Sequence, residues 1–159
     1  MVEYVIANAT VVPVRENPSE GAEQLTQLLF AEPCEVLDRL PRWTKIRSTL
    51  DTQEGWVDFK MVSLAPSLIA SSPHRLEAVV ATPMAAATPM DGGADLLLTL
   101  GTRLPNYAHG TFEVLGKQYL IDPTCVPQPI SNSHNVCEIA QTLLNAPYLW
   151  GGKNAMGMD

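Results

Sequence analysis

The chain has 159 residues, 46% of them hydrophobic, and a formal net charge of −7. That length suits one ordinary domain or two small ones, and the apolar share is enough for a packed core, which excludes a disordered chain. The acidic balance argues against nucleic acid and anionic membrane surfaces as partners, because both call for a basic footprint. No apolar run approaches the roughly 20 residues of a membrane span. The three cysteines, Cys34, Cys125 and Cys137, show no CxxC spacing. His74, His109 and His134 are too dispersed to complete a four-ligand zinc site with them. Reduced thiols are expected, with a Cys125–Cys137 disulfide left open, and neither a metal nor a cofactor is expected.

Residues 4–14 are rich in β-branched side chains, with Val11, Val12 and Val14, and read as a strand. Residues 15–23 carry Asn17-Pro18-Ser19 and Glu20-Gly21 and read as a polar surface loop. Gln27-Leu28-Leu29-Phe30 is a short apolar run, and Glu35-Val36-Leu37 follows after Pro33. In residues 43–48 the pattern alternates, with Thr44 and Ile46 on one face and Trp43, Lys45 and Arg47 on the other. Gln53-Glu54-Gly55-Trp56-Val57 completes the series. A strand, a long polar loop and then four short strands with tight turns predict a small SH3-like barrel ending near Leu64.

Residues 66–72 read as a linker, and residues 73–129 as a second, divergent barrel. In it Ala78-Val79-Val80-Ala81 stands for the valine strand, and residues 84–93 stand for the polar loop. Residues 96–104 stand for the segment around Leu28. Residues 111–121 read as a hairpin turning at Gly116-Lys117. After Pro129 the pattern changes. Asn135-Val136-Cys137-Glu138 has the form of a capping box, and Val136, Ile139, Ala140, Leu143 and Leu144 fall on one helical face. Asn145 and Pro147 end that helix. The predicted fold is mainly β: a first barrel over 1–65, a second over 73–129, and a helix and turn over 130–159 that open a further, α+β domain.

Pro147-Tyr148-Leu149-Trp150-Gly151-Gly152, with Gly157-Met158-Asp159 following, resembles the entry segment of the NlpC/P60 cysteine peptidase fold. Glu54-Gly55-Trp56-Val57 resembles the bacterial SH3 (SH3b) domains that accompany it. The arrangement is similar to that of the γ-D-glutamyl-L-diamino-acid endopeptidases. The resemblance implies two SH3b barrels ahead of a papain-like domain that cleaves cell-wall peptides with a free N-terminal L-Ala. It also implies that the nucleophilic cysteine would come directly after Asp159, with its histidine and orienting residue further on. No catalytic residue is therefore expected within this chain, and none of its three cysteines sits in the motif. The implied partner is a peptidoglycan-derived peptide, L-Ala-γ-D-Glu-diamino acid. The implied location is the bacterial cytoplasm, or the periplasm if a leader has been removed: Met1-Val2-Glu3-Tyr4 has no basic region followed by an apolar stretch.

The resemblance assigns roles to five residues. Asp159 matches the aspartate that holds the substrate's α-ammonium, against the plain alternative of a disordered terminal carboxylate. Glu32 is a candidate for a second carboxylate at that amine, or a solvated loop residue. Gln53 stands where such enzymes carry a tyrosine in the loop before Gly55-Trp56. Trp56, with Trp43, reads either as barrel packing or as an aromatic surface for a sugar or peptide. Tyr148, with Trp150, reads as scaffold for the turn more than as a ligand contact. Gly151 and Gly152 allow close backbone approach, and no Gly-Lys-Ser/Thr follows to make a phosphate loop. The competing reading is a non-catalytic SH3b module that binds cell-wall peptides.

Overall fold

The structure, a computed structural model, describes residues 2–65, 78–127 and 134–159, and only the backbone of 134–136. The linker expected at 66–72 and the start of the second barrel at 73 lie outside the described residues. Contacts divide the chain into two compact units: Met1–Arg75 with Trp150–Gly152, and Leu76–Leu149 with Lys153–Asp159.

The first unit is one seven-stranded antiparallel sheet. Its strands are β1 (Tyr4–Ala7), β2 (Val11–Arg15), β3 (Gln24–Leu29), β4 (Pro33–Arg39), β5 (Trp43–Ser48), β6 (Glu54–Asp58) and β7 (Val62–Ala65), in the spatial order β3-β2-β6-β5-β4-β1-β7. A 3-10 turn, Phe59–Met61, precedes β7 and is capped by Asp58, whose side chain accepts from the Lys60 N–H. The alternation in β5 directs Thr44 and Ile46 inward, as their spacing predicts. They join a core that includes Val5, Val12, Val14, Leu28, Cys34, Val57 and Val62. The valine-rich run at 4–14 differs from expectation, because it forms two strands rather than one. At the break Asn8 donates from Nδ2 to the Lys60 carbonyl at 3.1 Å and to Ser63 Oγ at 3.0 Å, which pins the turn against the end of the barrel.

The second unit repeats this plan. Its strands are β8 (Ala78–Val79), β9 (Met84–Pro89), β10 (Leu96–Thr99), β11 (Arg103–Leu104), β12 (Thr111–Val114) and β13 (Lys117–Ile121). Four of them order as β10-β9-β13-β12, and β11 pairs with β8. Matched in sequence to the first unit, these are the same neighbours as β3-β2-β6-β5 and β4-β1. Even the 3-10 turn recurs at Pro123–Cys125, capped by Asp122 through the Thr124 N–H. Its core gathers Val80, Leu98, Leu104, Phe112, Tyr119, Ile121 and Val126. Phe112 and Tyr119 stack with ring centroids 5.0 Å apart.

Two local expectations in the second unit are corrected. The first six of residues 84–93, expected as loop, form the strand β9. Alanine has little preference for strands, but here Ala85, Ala87 and Pro89 are buried while Ala86 and Thr88 are exposed, and pairing on both edges holds the strand. The hairpin at 111–121 turns at Leu115-Gly116, one residue earlier than expected. Both residues have positive φ, 51° and 79°, as a two-residue type I′ turn requires.

The end of the second unit holds helix α1 (His134–Gln141) and a ribbon of β14 (Lys153–Asn154) and β15 (Gly157–Met158). Asn135 lies one residue inside α1 rather than ahead of it. Leu143 and Leu144 fall beyond its end, in tighter turns where Leu143 N–H donates to the Ala140 carbonyl and Leu144 N–H to the Gln141 carbonyl. Asn145 stops the run with φ 70°. Residues 137–144 include no buried position, and Leu144 is 70% exposed.

Candidate functional site

The segment that carries the motif is held by backbone pairing. Leu149 N–H donates to the Met158 carbonyl at 3.1 Å, and Met158 N–H donates to the Pro147 carbonyl at 3.0 Å. Residues 147–149 thus run parallel to 157–159, with Tyr148 bridged to Met158. Gly157 makes the close pairing feasible. A Cβ on Gly157 would lie 2.6 Å from Leu149 Cβ, so no side chain fits there. Within the β14–β15 ribbon, Asn154 Oδ1 accepts from the Met156 N–H at 2.8 Å and closes the turn.

This pairing brings together two of the five assigned residues, Tyr148 and Asp159. The Tyr148 ring is 70% exposed, yet its phenol is held above the ordinary tyrosine range. Loss of water at the hydroxyl is the first cause. The negative charge of Asp159 and the hydrogen bond that its carboxylate accepts from the phenol come next.

The other three residues belong to the first unit. Glu32 lies in the turn between β3 and β4, after Ala31 at φ 63°. It is only 5% exposed, which removes the reading of a solvated loop residue. Gln53 is exposed ahead of β6, where its N–H donates to Asp51 Oδ1 at 3.1 Å. Trp56 is half-buried on β6, opposite Lys45 of β5 and Arg15 of β2, on the face of the sheet away from Val57. Trp43 is half-buried on the same face, opposite Asp58. Neither tryptophan belongs to the barrel core. Tyr148 and Asp159 thus pair within the second unit, while Glu32, Gln53 and Trp56 belong to the first.

Two contacts of the motif were invisible to the sequence reading. Trp150 donates from Nε1 to Glu23 Oε1 at 3.0 Å, and its carbonyl accepts from Gln24 Nε2 at 2.9 Å. Gly151, at φ 67°, passes so close to the β3 backbone that a Cβ would lie 2.8 Å from the Gln24 carbonyl oxygen. Glu23 and Gln24 are 126 or more positions away along the chain, and nothing in their local sequence marks them. Trp150–Gly152 thereby forms part of the first unit, although the motif it belongs to reads as the start of a later domain.

Comparison with known proteins then places the barrel. Residues 10–63 match the bacterial SH3 domain family. No curated protein is matched. Among solved structures, the fold is similar to that of an NlpC/P60 family protein from Bacillus cereus ATCC 10987, with a TM-score of 0.76 and 16% identity, over 98% of this chain and 68% of that one. It is also similar to an NlpC/P60 endopeptidase from Photobacterium damselae subsp. piscicida, with a TM-score of 0.68 and 17% identity, over 93% of this chain and 38% of that one. At these identities the likeness is one of fold, and it extends past the bacterial SH3 domain to nearly the whole chain.

Proposed function

We propose that this chain is the substrate-selecting portion of a cell-wall peptide hydrolase. The bond cleaved would be γ-D-Glu-L-diamino acid, in peptides with a free N-terminal L-Ala. The observation that carries this reading is the alignment of residues 147–149 with 157–159, which fixes the Asp159 carboxylate beside the Tyr148 hydroxyl. A carboxylate held in this way is a ready partner for an α-ammonium, and the charge-assisted bond between them is strong. The bacterial SH3 domain at 10–63 and the shared fold with NlpC/P60 proteins support the same reading. The sequence resemblance implies a cysteine nucleophile after Asp159, activated by a histidine as such thiols require.

The test compares the free tripeptide L-Ala-γ-D-Glu-diaminopimelate with its N-acetylated form, in the protein extended through the implied nucleophile. Acetylation removes the charge and leaves the carboxylate without its partner, so the free peptide should be strongly preferred. Asp159→Asn should lower kcat/KM on the free peptide by about 10- to 100-fold. Equal rates on the two peptides would overturn the amine pocket. The second reading, a non-catalytic SH3b module, draws on the bacterial SH3 match alone. Codons after Asp159 that do not read close to Cys-Ser-Gly would favour it.

A further inference from the structure

An open groove of about 540 Å³ lies on the second barrel, lined by Tyr107, Ala108, His109, Pro123, Val126 and Pro127. That volume is within the range of small-molecule sites, about 300–1,000 Å³. Its walls are preformed. Ala108 and Thr111 exchange backbone hydrogen bonds, each at 2.9 Å, and enclose His109-Gly110 as a two-residue turn. Both turn residues have positive φ, 49° and 83°. Gly110 is pressed against the opposite wall: a Cβ there would meet Pro123 Cγ at 3.1 Å, and its carbonyl accepts from Ile121 N–H at 2.8 Å. Such a turn prefers asparagine, aspartate or glycine at its first position, and histidine there holds a left-handed backbone at some energetic cost. The costly residue is one that lines the groove.

The chemistry of the lining selects the ligand. No acidic side chain, lysine or arginine is among the six residues. The adjacent Asp122 already accepts from the N–H and the hydroxyl of Thr124, at 2.9 and 2.8 Å, which holds its carboxyl below the usual range. An anionic ligand would enter without a counter-charge, which is unfavourable. The lining includes four rings: a phenol, an imidazole and two prolines. Among the described residues neither the Tyr107 hydroxyl nor the His109 ring makes a hydrogen bond or ion pair, and both can donate and accept hydrogen bonds. A flat ring with C–H groups on its face and hydroxyls on its rim meets each of these demands. We infer that this groove of the second barrel is a binding site for an uncharged sugar.

The site is separate from the Asp159 carboxylate, and its test does not depend on the peptidase reading. The 159-residue chain, isotope-labelled, is titrated with the N-acetylglucosamine disaccharide and followed by amide and imidazole NMR shifts. Saturable shifts are expected at Ala108, His109, Gly110, Thr124, Cys125 and Val126. His109→Ala should weaken binding at least about fivefold and Tyr107→Ala at least about tenfold, the loss expected from roughly 1–1.4 kcal/mol of polar and stacking contact. Tyr107→Phe keeps the ring and the fold and should give an intermediate loss. The absence of saturable shifts at these residues would overturn the assignment. So would stronger shifts there from the charged tripeptide or from a proline-rich peptide, or sugar binding unaffected by both His109→Ala and Tyr107→Phe.

Discussion

Gly151 occupies a position where backbone geometry and space both exclude a side chain. Its φ of 67° is strained for any L-residue, and a Cβ would lie 2.8 Å from the Gln24 carbonyl oxygen, which is backbone and cannot give way. Gly151→Ala should therefore release the Trp150 segment from β3. The bond from Trp150 Nε1 to Glu23 is exposed and worth only about 1 kcal/mol, so it cannot hold the segment against that clash. The expected outcome is loss of exchange protection at the Trp150 indole N–H in both Gly151→Ala and Glu23→Ala, seen by NMR. Retained protection in Gly151→Ala would mean that the close approach to Gln24 is not what positions the segment.

Tyr148 gives a second residue-scale outcome. Its phenol is held above the ordinary value of about 10, by loss of water first and by Asp159 second. A raised phenol pKa means that the neutral, hydrogen-bond-donating form is favoured, so at neutral pH Tyr148 remains a donor to Asp159. The difference in ultraviolet titration between the wild type and Tyr148→Phe should place this phenol above the ordinary midpoint. Asp159→Asn removes the charge and should bring the midpoint down, though not fully, because the loss of water remains. An unchanged midpoint in Asp159→Asn would separate the two side chains.

At the scale of elements, the hairpin β12–β13 carries a local conflict between sequence and structure. Its turn needs positive φ at both central residues, and the first of these is Leu115, 42% exposed. Leucine gains nothing from burial there and strains the backbone. Leu115→Asn should stabilise the second barrel by roughly 0.5–1 kcal/mol, detectable as a higher urea midpoint with unchanged slope. The same conflict explains why the sequence reading set the turn one residue late. Gly116 marks a turn but not its register, and the register is decided by Val114 pairing with Lys117 so that Phe112 and Val114 both face the core. Strand β9 is a stronger case. Met-Ala-Ala-Ala-Thr-Pro has weak strand propensity of its own, and it is a strand because β10 and β13 supply partners on both sides.

The whole molecule shows what two small cores require. The first barrel places Ile46 at the centre of a cluster of valines and Leu28, and the second places Phe112 against Tyr119. Ile46→Ala should cost its barrel about 2–5 kcal/mol and Phe112→Ala about 3–5 kcal/mol, because each leaves a cavity that a small sheet core cannot close. Chemical denaturation followed by amide exchange in each unit would measure both. A loss under 1 kcal/mol at either site would mean that the core is not packed around that side chain.

The sequence alone determined part of the element order: the alternation in β5, the polar loop before β3, the Gly55-Trp56 strand and the Pro147–Gly152 motif are all patterns of period and residue type, which are local. It also marked Tyr148 and Asp159 as candidates, because both lie within one short motif. Only the tertiary structure decided the rest. The repeat of one strand order in two barrels is carried by pairing and not by shared residues, since many side chains satisfy the same inward and outward alternation. The burial of Glu32, the grip of Glu23 and Gln24 on Trp150, and the groove between His109-Gly110 and Pro123 are contacts between residues distant in sequence. Hydrophobic period and turn chemistry act over a few positions, whereas these contacts exist only once the sheets have closed.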